Sequence, residues 1–279
     1  MFLASIPSPT SGSMAIGSLR LTAYGLMIAI GVIAAVSLAS RRLTKSGAGT
    51  PEDMSSIAMW AVISGLVGAR LYHVATDWSS FNGDLGRIPM IWKGGLGIPG
   101  GLLGGTLGGI YATRRRHVRI GPLLTAVAPA VPLAQSIGRW GNWWNQELFG
   151  RATNLPWALE ISDDKLPTGY VSGTTFHPTF LYESIWNLGL CLLLIQLDRR
   201  TSLRPGRLFG VYLAGYFAGR FWIEGLRIDP AHVVAGLRLN QWVAAAVFIS
   251  SIVFLVIDQR RGQSEHQLAV AESTSERVS

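Results

Sequence analysis

Cysteine is nearly missing from this chain. The one cysteine in 279 residues, Cys191, lies inside an apolar run, so neither a disulfide framework nor a thiolate metal site can form within one chain. Charge is scarce as well. Only 14% of residues are charged, where soluble domains carry roughly 25%. There is no zincin pair of histidines, no Gly-Xaa-Ser-Xaa-Gly elbow, and no glycine-rich loop between a strand and a helix. The usual marks of a zinc protease, a serine hydrolase and a nucleotide binder are therefore absent from the sequence. Residues 1–19 lack the basic start of a signal peptide and contain Pro7 and Pro9. They read as a short extracytoplasmic arm.

What is present is apolar. Hydrophobic residues make up 49% of the chain, and mean hydropathy is +0.32. A membrane span needs about 20 apolar residues. Such runs occur near 20–40, 55–76, 89–113, 120–138, 179–197, 207–225 and 239–257. The pattern predicts an all-α, polytopic membrane protein of about seven transmembrane helices with an extracytoplasmic loop region. A transmembrane domain is expected over 20–257, with an outer loop at 139–178. A disordered cytoplasmic tail is expected over 258–279. The third run is rich in glycine and contains Pro99. Glycines there fit either close helix packing or a broken helix lining a cavity, and the proline favours a kink.

The net charge is +8, and the basic residues cluster between spans. Clusters follow the first span (Arg41, Arg42, Lys45), the third (Arg114, Arg115, Arg116, Arg119), the fifth (Arg199, Arg200, Arg204, Arg207) and the seventh (Arg260, Arg261). This alternation reads as orientation in the membrane, with the N-terminus outside and the C-terminus cytoplasmic, rather than as a nucleic-acid site. Ionisable residues within spans are costly, about 2.5–3.5 kcal/mol each on insertion scales, and mark function. With that orientation Tyr24, Arg70, Tyr72, His73, Arg139, Asn142, His177, Tyr182, Glu183, Arg220 and Glu224 gather toward the outer leaflet. Tyr216, Arg220, Glu224 and Arg227 fall within about 80° of one helix face. Arg220 and Glu224, one helical step apart, also fit a structural ion pair. Several arginines at one depth suit a phosphate group, because guanidinium forks match phosphate oxygens.

The run Gly138-Arg139-Trp140-Gly141-Asn142-Trp143-Trp144-Asn145-Gln146-Glu147-Leu148-Phe149-Gly150 resembles the signature of prolipoprotein diacylglyceryl transferases. Further stretches are similar to that family in the same order. They are Tyr24-Gly25, His177-Pro178-Thr179-Phe180-Leu181-Tyr182-Glu183, the Tyr216, Arg220, Glu224 spacing, and Leu239-Asn240-Gln241-Trp242. The resemblance covers roughly residues 20–257. It implies transfer of a diacylglyceryl group from phosphatidylglycerol to the lipobox cysteine thiol of a prolipoprotein, forming a thioether and releasing glycerol phosphate. It implies a bacterial inner-membrane location, contact with membrane lipid, no cofactor, no metal and no nucleic acid. Many members carry a histidine, considered as a base, where this chain has Pro99.

On this reading Arg139 and Arg220 are catalytic phosphate binders. His177 stands in as the base, with a structural cap as its other reading. Tyr24, Arg70, Asn142, Glu147, Gly150, Tyr216 and Glu224 complete the substrate-binding set. Two other classes fit the residues alone: a lipid or anion transporter, and a lipid-binding membrane protein without catalysis. A transporter is expected to place its site near the midplane and often shows internal repeats; no repeat is found.

Overall fold

A computed structural model describes residues 5–16, 19–91 and 94–278, with backbone alone for 14–16, 19–20 and 261–278. The protein is mostly helical. In chain order its elements are β1 Ser13–Ile16, β2 Leu19–Thr22, α1 Ala23–Lys45, α2 Pro51–Thr76, α3 Ile98–Arg115, α4 Ile120–Val127, α5 Ala130–Asn145, β3 Leu159–Glu160, β4 Thr175–Phe176, α6 Thr179–Arg200, α7 Arg207–Leu226, β5 Val233–Val234, β6 Leu237–Arg238 and α8 Leu239–Val278. Each pair β1–β2, β3–β4 and β5–β6 is a small antiparallel ladder. Among the described residues, five helical stretches are long and apolar enough to cross a membrane: Ala23–Lys45, Pro51–Thr76, Ile120–Asn145, Thr179–Arg200 and Leu239–Arg260. Their side chains carry large exposed apolar surface, as at Ile33, Leu71, Leu192 and Ile249. Polar residues turn inward instead, as Glu224, Asn187 and Glu183 do. That inversion suits a lipid solvent.

The chain forms two compact units, residues 36–126 and residues 1–35 with 127–279. In the first, α2 and α3 pack through glycine. A Cβ at Gly68 would lie 2.3 Å from the Gly100 carbonyl oxygen, and one at Gly104 would lie 2.3 Å from that of Ser64. Small residues let the two backbones touch, which is how helices associate where lipid offers no hydrophobic drive. The glycines therefore serve close packing.

The third apolar run differs from its expected form. The third helix begins at Ile98, not near 89, and Pro99 sits in its first turn. Proline lacks the N–H that the first turn leaves unpaired, and its fixed φ suits a helix start, so it initiates α3 rather than kinking it. Just before it, Gly94 and Gly95 hold positive φ (88° and 75°). Helix α8 extends in backbone to Val278. Ser279 lies outside the described residues, as do residues 1–4, 17 and 18 of the expected N-terminal arm.

Candidate functional site

The second unit brings the motif residues together through helix contacts made by small or hydrogen-bonding side chains. Helix α1 runs along α5. Added Cβ atoms at Gly31, Gly138 and Gly141 would lie 3.0 Å from Ala134 O, 3.4 Å from Ile28 Cδ1 and 2.6 Å from Tyr24 Cδ2. Tyr24 is thus held against the Gly138–Asn142 turn. Helices α5 and α6 are joined by reciprocal bonds. Ser136 Oγ donates to the Ser184 carbonyl and Ser184 Oγ to the Ser136 carbonyl, each at 2.9 Å. Helix α6 meets α7 where Trp186 Nε1 donates to the Gly215 carbonyl at 2.9 Å. Helix α8 meets α7 where Gln241 Nε2 donates to the Phe221 carbonyl at 3.2 Å.

These contacts align one continuous chain of charge. Glu183, on α6, bridges two arginines: Arg139 Nη2 lies 2.6 Å from its Oε2 and Arg220 Nη1 lies 2.9 Å from its Oε1. Arg220 Nη2 reaches Glu224 Oε2 at 2.5 Å. Arg227 approaches the same oxygen at 3.4 Å, while Arg238 Nε takes Oε1 at 2.8 Å. Asn240 Nδ2 donates to that Oε1 at 3.1 Å. Asp229 closes the far end, bonded to Arg227 Nε at 2.7 Å and Arg238 Nη2 at 2.9 Å. At the near end Asn142 faces Arg139 Nη1 through its Oδ1 at 3.4 Å and donates through Nδ2 to Glu147 Oε1 at 2.8 Å.

The carboxylates lie behind the cations. Glu224 and Glu183 side chains are 0% and 5% exposed, against 15% for Arg220 and 20% for Arg139. A guanidinium carries five N–H donors in a planar fork. The carboxylates fix Arg139 and Arg220 through one or two of these and leave others to meet an anion. At Asp229, burial alone would raise the carboxyl pKa. The Arg227 hydrogen bond and the charges of Arg227 and Arg238 outweigh it and hold it below the ordinary value.

Gly150 sits where three segments meet. Its N–H donates to the His177 carbonyl at 2.9 Å, and Arg151 N–H donates to the Leu226 carbonyl at 2.9 Å. A Cβ at Gly150 would lie 2.8 Å from His177 Cβ, so this close backbone approach admits only glycine. His177 Nδ1 is 3.0 Å from Tyr182 Oη, which accepts from Trp157 Nε1 at 3.1 Å. Its bond therefore runs to Tyr182 rather than to a member of the charge chain. Burial, then the Arg151 charge, lowers the His177 pKa.

Two expected site residues have other surroundings. Arg70, in the other unit, donates to the carbonyls of Arg87, Ile88, Gly94 and Gly95 at 2.6–2.9 Å. This guanidinium pins the segment leading into α3. Tyr216 packs its ring on Tyr212 and Phe217, with centroids 5.9 and 5.1 Å away. Conversely, Asp229, Arg238 and Asn240 join the cluster without any site role legible in the sequence, and Glu183, placed there only at the right depth, proves to be the bridge between two arginines. Arg238 lies between helices, where no periodicity marks it.

The family model for prolipoprotein diacylglyceryl transferase matches residues 12–257. Among curated relatives, phosphatidylglycerol--prolipoprotein diacylglyceryl transferase 1 of Streptomyces coelicolor is 49% identical over 94% of this chain and 76% of its own length. The phosphatidylglycerol--prolipoprotein diacylglyceryl transferase of Streptomyces griseus is 49% identical over 93% of this chain and 79% of its own length. That of Cutibacterium acnes is 46% identical over 97% and 93%. The charge chain lies inside the matched region, and the chain belongs to the prolipoprotein diacylglyceryl transferase family.

Proposed function

We propose that this protein transfers the diacylglyceryl group of phosphatidylglycerol to the lipobox cysteine thiol of a prolipoprotein at the outer face of a bacterial inner membrane. The observation that carries this reading is the pair of arginines, Arg139 and Arg220, held side by side on the buried carboxylate of Glu183. In the reaction the cysteine sulfur attacks the glyceryl carbon that bears the phosphate ester. A C–S bond forms, and the C–O bond breaks with its electron pair going to the phosphate oxygen. Glycerol phosphate leaves, and the thiol proton passes to a base. The diester carries one negative charge and the departing monoester gains a second, so charge grows on the phosphate during the step. Fixed cations facing that phosphate favour the transition state over the ground state. Tyr24 and Asn142 then line the head-group position, and Glu147 and Glu224 orient Asn142 and Arg220. Incubating the purified protein with phosphatidylglycerol and a lipobox peptide tests the reading. Diacylglyceryl-peptide is the expected product. Lipid movement without it would favour a carrier.

The reading places seven helices across the membrane, adding α3 and α7 to the five apolar stretches. The loop between α5 and α6 is then extracytoplasmic. A reporter fused after Ser279 is expected in the cytoplasm and one inserted near Asp163 outside. The reverse pattern would overturn the orientation.

His177 acts as the base in a chain that has Pro99 at the usual histidine position. A cysteine thiol has a pKa near 8.5 and is only a few per cent thiolate at pH 7. His177→Gln is therefore expected to lower the rate strongly at pH 7 and much less at pH 9, where the thiol ionises unaided. Because burial and Arg151 lower the His177 pKa, the wild-type base is lost only as pH falls below the ordinary histidine range. Equal loss at both pH values would assign His177 a structural part.

A further inference from the structure

The segment that carries Asn142 and Glu147 turns at a strained residue. Gln146 caps α5 with φ 54°, and Leu148 follows at 62°. The Glu147 N–H returns to the Asn142 carbonyl at 3.1 Å, and the Gln146 N–H to the Trp143 carbonyl at 3.1 Å. Helices ending this way usually place glycine at the left-handed position, because a side chain is strained there. Gln146 is instead a buried side chain, 8% exposed, with every polar atom engaged. Its Oε1 accepts from Ser162 N and from Ser162 Oγ, each at 2.8 Å. Its Nε2 donates to the Pro9 carbonyl at 3.0 Å, with Ser162 Oγ 2.6 Å away.

Pro9 belongs to the N-terminal arm, and the arm is itself stitched to the same loop. Ile6 N–H donates to the Ala158 carbonyl at 2.8 Å, and Glu160 N–H donates back to the Ile6 carbonyl at 2.9 Å. Trp143 Nε1 donates to the Pro7 carbonyl at 3.1 Å, and the Ser5 and Ser8 hydroxyls reach Glu160. Residue 146 is thus the point where the arm, the segment 158–162 and the end of α5 are tied. The next residue, Glu147, holds Asn142 Nδ2 at 2.8 Å and Asn145 Nδ2 at 3.2 Å. Asn142 in turn faces Arg139.

We infer that Gln146 is a positioning residue, a latch through which the N-terminal arm sets the Glu147–Asn142–Arg139 geometry. This inference rests on the transferase reading above. Glycine would relieve the backbone strain and remove the latch, so the two roles of the position separate in one variant. In Q146G the thermal stability in detergent is expected to match or exceed wild type. The kcat for diacylglyceryl transfer to a lipobox peptide is expected to fall by about 10- to 100-fold, as misplacing catalytic groups does. Hydrogen exchange at the Ile6 and Glu160 amides is expected to accelerate. Q146E keeps the acceptor for Ser162 but loses the donor for Pro9, so it should show the same exchange change and a partial loss of kcat. Deleting residues 2–9 should reproduce the Q146G loss, and the two changes together should lose no more than either alone. Wild-type kcat in Q146G, or losses that multiply, would overturn the inference. Where the truncated chain fails to accumulate, Q146G and Q146E decide alone. Absence of transfer in the wild type would instead sink the transferase reading, and unchanged exchange in Q146G would then still refute the latch.

Discussion

Arg139→Ala and Arg220→Ala are each expected to reduce diacylglyceryl transfer by about 10²–10³-fold, the cost of removing a fixed charge stabiliser from a reacting centre. Both arginines share Glu183, at 2.6 and 2.9 Å, so each single change leaves that buried carboxylate one partner. The protein should therefore stay folded, and the loss should fall on kcat more than on stability. Lysine at either position is expected to recover little. Arg220 must span Glu183 and Glu224 at once, and a point charge on a flexible stem cannot keep both while meeting a phosphate. The check is turnover of labelled phosphatidylglycerol beside a melting curve for each variant. Near-normal turnover in either alanine variant would remove the phosphate clamp from the mechanism.

The largest expected effect on stability comes from Glu224→Ala. This carboxylate is fully buried and takes Arg220, Arg227, Arg238 and Asn240. Removing it leaves three guanidiniums crowded without their shared anion. Breaking a buried pair by removing one partner costs about 3–5 kcal/mol, because the remaining charge is uncompensated. Glu224→Gln keeps the shape and two acceptor lone pairs and should lose less. Denaturant unfolding in detergent micelles measures both; a loss near zero for the alanine variant would mean that the arginines find other partners. Acid should weaken the same cluster through Asp229. Its folded pKa is held below 3.8, so its contribution is complete above that value and is lost as pH falls through the lowered one.

Much of this protein is set by local sequence. Long apolar runs specify helices because a backbone in lipid must satisfy its own hydrogen bonds. The Tyr216, Arg220, Glu224, Arg227 stripe is legible because α-helical periodicity places those residues on one face, and the Arg220–Glu224 pair follows from that spacing at 2.5 Å. The Gly138–Gly150 motif names its residues without help from a fold. What the sequence could not fix is which carboxylate meets which arginine across helices. Glu183 bridges Arg139 and Arg220 because Ser136–Ser184 and Trp186–Gly215 contacts set the rotation and depth of α5, α6 and α7. Arg238 and Asp229 join the cluster from a loop that has no period to read. Arg70 shared its predicted depth with Arg139, yet its guanidinium is taken by four backbone carbonyls near its own helix. Periodicity and hydropathy encode a residue's face and depth. The partner of a buried charge depends on helix packing and loop closure between distant segments, and only the tertiary structure decides it.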